Sequence, residues 1–110
     1  MTGTALIIGA SRGLGAALVG ELAKRGWQVS ATVRDPARAP KGAVRTLVCD
    51  IGDDASVAAL EKALGDEKFD LLFVNAGVYG PRDGTPASIG RDGFMELFWT
   101  NAVAPVRLLE

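Results

Sequence analysis

The stretch Gly9-Ala10-Ser11-Arg12-Gly13-Leu14-Gly15 constrains this chain more than any other part of it. It follows Ala5-Leu6-Ile7-Ile8, a continuous apolar run that reads as a strand buried on both faces. It precedes a segment, Leu14 to Arg25, in which Leu14, Ala17, Leu18 and Leu22 recur at helical spacing and Gly26 supplies the stop. A strand that turns directly into a helix needs a tight bend, and glycine at 9 permits it. Glycine at 13 or 15 lets the backbone or the helix approach a ligand and the sheet closely. The first helical turn then presents N–H groups that lack intrahelical acceptors, an arrangement suited to phosphate.

The same alternation continues along the chain. Gln28 to Val33 predicts a second strand, and Arg34-Asp35-Pro36 breaks it because proline cannot donate to a ladder. Val44 to Cys49 predicts a third strand. Asp53 or Asp54 can cap a helix whose face is Val57, Leu60 and Leu64, closed by Gly65. Phe69 to Val74 predicts a fourth strand, as apolar as the first. A loop rich in Gly, Pro and Ser covers about Gly77 to Gly90, and a last helix starts near Arg91 or Asp92 and is still running at Glu110. Strands alternating with helices predict a parallel sheet, and right-handed crossovers give it the spatial order 3-2-1-4. The expected fold class is α/β: the first half of a Rossmann-type, doubly wound parallel sheet with covering helices. Residues 1–110 then form the N-terminal part of a single nucleotide-binding domain. The fourth strand, with Leu71, Leu72, Phe73 and Val74, would lie at an edge that something else covers in the working protein.

Composition narrows the function. Twelve basic and 13 acidic residues give a net charge of −1, without the basic excess of a nucleic-acid binder. An apolar fraction of 48% is enough for a packed core, which argues against disorder. The chain has no histidine, which removes Ser-His-Asp and Cys-His catalysis. Its one cysteine, Cys49, lies in the apolar run Leu47-Val48-Cys49 and reads as a core residue, so no metal site is expected. Neither a signal peptide nor a run of ~20 apolar residues is visible. A soluble, cytoplasmic protein without membrane or nucleic-acid partners is the expectation.

The glycine spacing points further. Three residues separate the first two glycines, where the common dinucleotide fingerprint has one. G-x-x-x-G-x-G, present here as GASRGLG, resembles the pattern of the short-chain dehydrogenase/reductase family. Asn75-Ala76-Gly77 at the end of the fourth strand is similar to the family's N-A-G motif, with Val74 in place of a preceding asparagine. Asn101-Ala102-Val103-Ala104-Pro105 matches a third pattern. Pro105 has no N–H, so the carbonyl of residue 101 loses its usual i+4 donor and the helix should bend there. A plain proline kink is the simpler alternative.

The resemblance implies roles. Gly9, Ser11, Arg12, Gly13, Leu14 and Gly15 would hold the cofactor, with Asn75, Ala76 and Gly77 letting it pass over the sheet. Asp50 would bond the adenine amino group and Ile51 would pack on the ring, although Asp50 also suits a turn before Gly52-Asp53-Asp54. Asn101 would belong to the catalytic tetrad, its carbonyl holding a water that leads to the catalytic lysine.

An acidic residue about 20 positions beyond the glycines marks NAD. Asp35 stands there, but directly before Pro36, where aspartate commonly initiates a turn. The strand-end position that carries the acid in the family is Val33, which cannot accept a hydrogen bond. Arg34 and Arg12 suit a 2′-phosphate instead, and the family associates basic residues at these places with NADP. NADP(H) is therefore the expected cofactor, with NAD(H) as second candidate; two solvated surface arginines are the bland alternative.

The family's reaction uses a tyrosine, a lysine four residues later and a serine. The one tyrosine here is Tyr79, with Asp83 four residues on, and it reads as a loop or pocket-wall residue. The expectation is a fragment of an NADP(H)-dependent oxidoreductase acting on a small carbonyl or alcohol. A nucleotide-binding sensor or interaction module is the alternative. A methyltransferase is a weaker third, since it leaves Asn101 and Pro105 without explanation. The last helix is apolar on more than one face, through Phe94, Leu97, Phe98, Trp99, Val103, Val106 and Leu108. The family joins subunits there, so a homodimer or homotetramer through the 91–110 helix is expected.

Overall fold

A computed structural model describes residues 2–75 and 90–109. Four parallel strands, β1 (Thr4–Ile8), β2 (Gln28–Val33), β3 (Arg45–Val48) and β4 (Leu71–Val74), form one sheet in the order β3-β2-β1-β4. This is the expected order. Helices α1 (Gly13–Lys24), α2 (Asp54–Leu64), α3 (Gly90–Phe98) and α4 (Ala104–Leu108) accompany it.

The alternation of side chains along β1 divides the core. Ala5 and Ile7 face one side and join Val19 of α1 with Val29 and Ala31 of β2. Leu6 and Ile8 face the other and join Cys49, Ile51, Leu60 of α2 and Ala104 of α4. A strand covered on both sides has no polar face to alternate, which is why β1 reads as an unbroken apolar run. Each fully buried Ile or Val contributes about 1.5–3 kcal/mol of burial free energy.

Two local expectations change. The buried residues of α1 are Gly15 and Val19, with Leu18 and Leu22 packed against the core. Leu14 is 64% exposed and Ala17 is exposed, so the helix is rotated from the face the spacing suggests. Gly15 rather than Leu14 meets the sheet because only a residue without Cβ fits there. The last helix does not simply bend before Pro105. It widens into a π turn, Trp99–Val103, in which the Ala104 N–H donates to the Trp99 carbonyl five residues back. Pro105 cannot donate to residue 101, and the register shifts by one residue to accommodate this.

Strand β4 borders β1 and no further strand among the described residues, and Leu72 on it is 40% exposed. Asp50 and Asp53 build the approach to α2. Asp53 is its N-cap, its carboxylate accepting from the Ala55 N–H at 3.0 Å. No helix of the described residues is long and apolar enough to cross a membrane.

Candidate nucleotide-binding site

Parallel strands all end on the same side, and the residue that follows each one opens onto the same space. Gly9 follows β1, Arg34 follows β2, Cys49 follows β3 and Asn75 follows β4. All four line one cavity of about 790 Å³, within the ~300–1,000 Å³ of small-molecule sites. A crevice beyond the carboxyl ends of the strands is where doubly wound sheets bind ligands.

The glycine turn forms one wall, with Ser11, Arg12, Gly13 and Leu14 on the cavity. Gly9 has φ 89°, in the region glycine alone adopts readily. Its N–H donates to the Thr32 hydroxyl at 3.1 Å, and the Ala10 N–H donates to the Thr32 carbonyl at 2.8 Å. Thr32 is buried at the end of β2, so that strand holds the turn in place. From the other side, Asn75 donates its side-chain amide to the Gly9 carbonyl at 3.4 Å, and its own N–H bonds the Ile8 carbonyl at 2.8 Å.

The two helix N-termini differ in a telling way. Asp53 caps α2, whereas α1 begins at Arg12 in extended backbone with no side-chain cap and no acidic residue in its first turn. The positive end of α1 therefore opens on the cavity uncompensated by any carboxylate of its own, which is the condition for binding an anionic group.

Asp50 and Ile51 line the cavity with Cys49. The Gly52 N–H donates to Asp50 Oδ1 at 3.0 Å, and the Asp50 N–H donates to the Ser56 hydroxyl at 2.9 Å, fixing this loop against α2. The π turn supplies Thr100 and Asn101 to the same cavity. π turns of this kind often mark functional positions.

Sequence reasoning thus finds most of the lining. Gly9, Ser11, Arg12, Gly13, Leu14, Arg34, Asp50, Ile51, Asn75 and Asn101 share the cavity. Gly15 lies buried beneath the turn. Ala76, Gly77 and Tyr79 lie outside the described residues. Asp35 also lines the cavity, but its carboxylate accepts from the Ala37 N–H at 3.0 Å and so caps the 3₁₀ turn Pro36–Arg38. Val33 is 1% exposed and out of a ligand's reach. Missed altogether are Arg38, Cys49 and Thr100 as wall residues. Cys49 had a signal, its place at the end of the predicted third strand; Thr100 had only its adjacency to Asn101.

Burial pushes the Cys49 thiol above its ordinary pKa, with Asp50 and Asp53 adding repulsion and a bond with Ser56 acting the other way. A raised folded-state pKa favours the neutral thiol. Its stabilising contribution is therefore complete below the unfolded thiol pKa and lost as pH rises through the folded value. The expected result is alkylation by iodoacetamide at neutral pH about tenfold or more slower than for a small free thiol, accelerating only in alkali. A labelling time course followed by mass checks this; a rate equal to free cysteine at pH 7 contradicts it.

Comparison with known proteins agrees with the geometry. The short chain dehydrogenase family profile matches residues 3–110. The chain belongs to the short-chain dehydrogenase family. Human 17-beta-hydroxysteroid dehydrogenase type 1 is 34% identical over 96% of this chain and 36% of its own length. A carbonyl reductase from Pseudomonas aeruginosa PAO1, solved in complex with NADP, superposes with TM-score 0.84 at 35% identity, over 98% of this chain and 51% of that one. A short-chain dehydrogenase from Sphingobium yanoikuyae in complex with NADPH gives TM-score 0.83 at 31% identity, over 96% and 45%. The chain spans about a third of the length of the curated relatives it matches and about half of these solved structures.

Proposed function

We propose that residues 1–110 are the N-terminal, cofactor-binding part of a single domain in an NADP(H)-dependent oxidoreductase, which acts on a small carbonyl or alcohol. The observation that carries the cofactor choice is the pairing of Arg12 and Arg34 on one cavity, while Val33 is buried and Asp35 caps a turn. Guanidinium groups grip a phosphate monoester with paired, charge-assisted hydrogen bonds. The NADP and NADPH complexes of the two structural relatives support the same choice.

Bound in the cavity, the nicotinamide cofactor would supply hydride transfer. The uncapped start of α1, with Ser11, Gly13 and Leu14, would take the pyrophosphate. Asp50 has Oδ1 turned to Gly52, and its carboxylate would meet the adenine amino group while Ile51 packs on the ring. Asn75, Ala76 and Gly77 would line the path over the sheet, and Asn101 would carry its family role in the catalytic set. Self-association through the last helix belongs to the same reading, with Met95, Phe98 and Val106 exposed on it.

Fluorescence titration of the protein with NADPH and NADH tests the proposal. NADPH is expected to bind at least about tenfold tighter, the equivalent of ~1.4 kcal/mol. Equal affinities, or binding of neither, would overturn it. The 110 residues assayed alone should bind NADPH without reducing a carbonyl, since Tyr79 is not followed by the required lysine.

A further inference from the structure

The 3₁₀ turn after β2 carries a feature that the glycine turn and Arg34 do not explain. Arg38 ends this turn and lines the same cavity as Arg12 and Arg34. We propose that Arg38 is a specificity-determining residue, the third cation of a 2′-phosphate clamp, and that Asp35 is the positioning residue that presents it. The proposal rests on the NADP(H) reading above and deepens it.

The turn is built to hold one shape. Pro36 fixes φ at its first position, the Asp35 carboxylate accepts from the Ala37 N–H at 3.0 Å, and the Arg38 N–H donates to the Asp35 carbonyl at 2.9 Å. Asp35, at the N-cap, and Arg38, at the last position of the turn, both line the cavity. A long arginine on a preformed turn loses little freedom of the backbone that carries it when it engages an anion.

Charge supports the assignment. Among the described residues, the carboxylates on the cavity are Asp35, at the N-cap of the turn, and Asp50, in the loop after β3. Arg12, Arg34 and Arg38 against these two carboxylates leave a surplus of one positive charge on the cavity. Without Arg38 the balance would be zero, which offers no net attraction to a phosphate monoester dianion. Asp35, the acid at the general spacing that marks NAD, thus serves the opposite preference here, by shaping the turn that carries Arg38.

Titrations with NADPH and NADH on Arg38→Ala, Asp35→Ala and Asp35→Asn test this, with Arg34→Ala as reference and thermal melts to verify folding. Arg38→Ala should weaken NADPH about tenfold and leave NADH within about twofold. Asp35→Ala should weaken NADPH several-fold, whereas Asp35→Asn, which keeps the capping oxygen, should restore it. Unchanged NADPH affinity in Arg38→Ala beside a loss in Arg34→Ala overturns the clamp and spares the NADP(H) reading. No loss in either overturns both. Equal losses of NADPH and NADH in Arg38→Ala, or a selective NADH loss in Asp35→Ala, overturn the inference as well.

Discussion

Replacing Arg34 by alanine should weaken NADPH binding about thirtyfold and change NADH binding by less than about threefold. Hydrogen bonds to a charged group contribute about 1.5–3 kcal/mol each, and an exposed pair loses part of that to solvent and salt. About 2 kcal/mol is a reasonable net, which is roughly thirtyfold. Arg34 follows β2 directly and is exposed at the cavity, so its removal leaves the core untouched. Arg12→Ala should act in the same direction. Arg12 occupies the N-cap of α1 without a side-chain capping bond, so α1 does not depend on its guanidinium. Losses in both variants should shrink as ionic strength rises, because the interaction is between charges near solvent. Isothermal titration at low and high salt would read all of this. NADPH affinity unchanged in both variants defeats the two-arginine assignment.

What the sequence made legible was whatever depends on local pattern. The β1 run, the glycine turn, β2 and the Asp53 cap all follow from near neighbours, and the structure places them within a few residues of the expected bounds. Errors arose where a third element decides. The spacing of Leu14, Ala17, Leu18 and Leu22 suits one face of α1, yet the sheet takes Gly15 and Val19, because the close approach of the turn rotates the helix. Pro105 announces a disturbance four residues upstream, but not that the helix absorbs it by widening, which needs the packing around Thr100 and Ala104. Nothing in the sequence pattern singles out Arg38. Only the path of the 3₁₀ turn brings it to the cavity, and that path is set jointly by Asp35 and Pro36.

The second large effect concerns a glycine. In a helix, Gly→Ala ordinarily stabilises by about 0.5–1 kcal/mol because alanine loses less backbone freedom on folding. Two glycines of α1 should respond with opposite sign. A Cβ at Gly20 would meet nothing within 4 Å, so Gly20→Ala should raise the denaturation midpoint by the usual amount. A Cβ at Gly15 would run into the carbonyl oxygen of Gly9 and lie 3.0 Å from Asn75 Nδ2 and 3.1 Å from Ala10 Cα. Two of those three neighbours are backbone atoms, which cannot rotate away. Forcing extra volume into such a place costs about 1–3 kcal/mol, more than the helix gains. The displaced atoms also belong to the node where Thr32 and Asn75 hold the glycine turn, so the helix must move away from the sheet or the turn must open. Either movement shifts the first N–H groups of α1 relative to the cavity, and a site that needs its donors within about 0.5 Å does not survive it. Gly15→Ala is therefore expected to lower stability in urea titrations and to weaken NADPH and NADH alike by tenfold or more. That joint loss separates it from Arg34→Ala, which discriminates between the two cofactors. A Gly15→Ala protein with the parent's midpoint and cofactor affinities would show that the helix has room this close packing denies it.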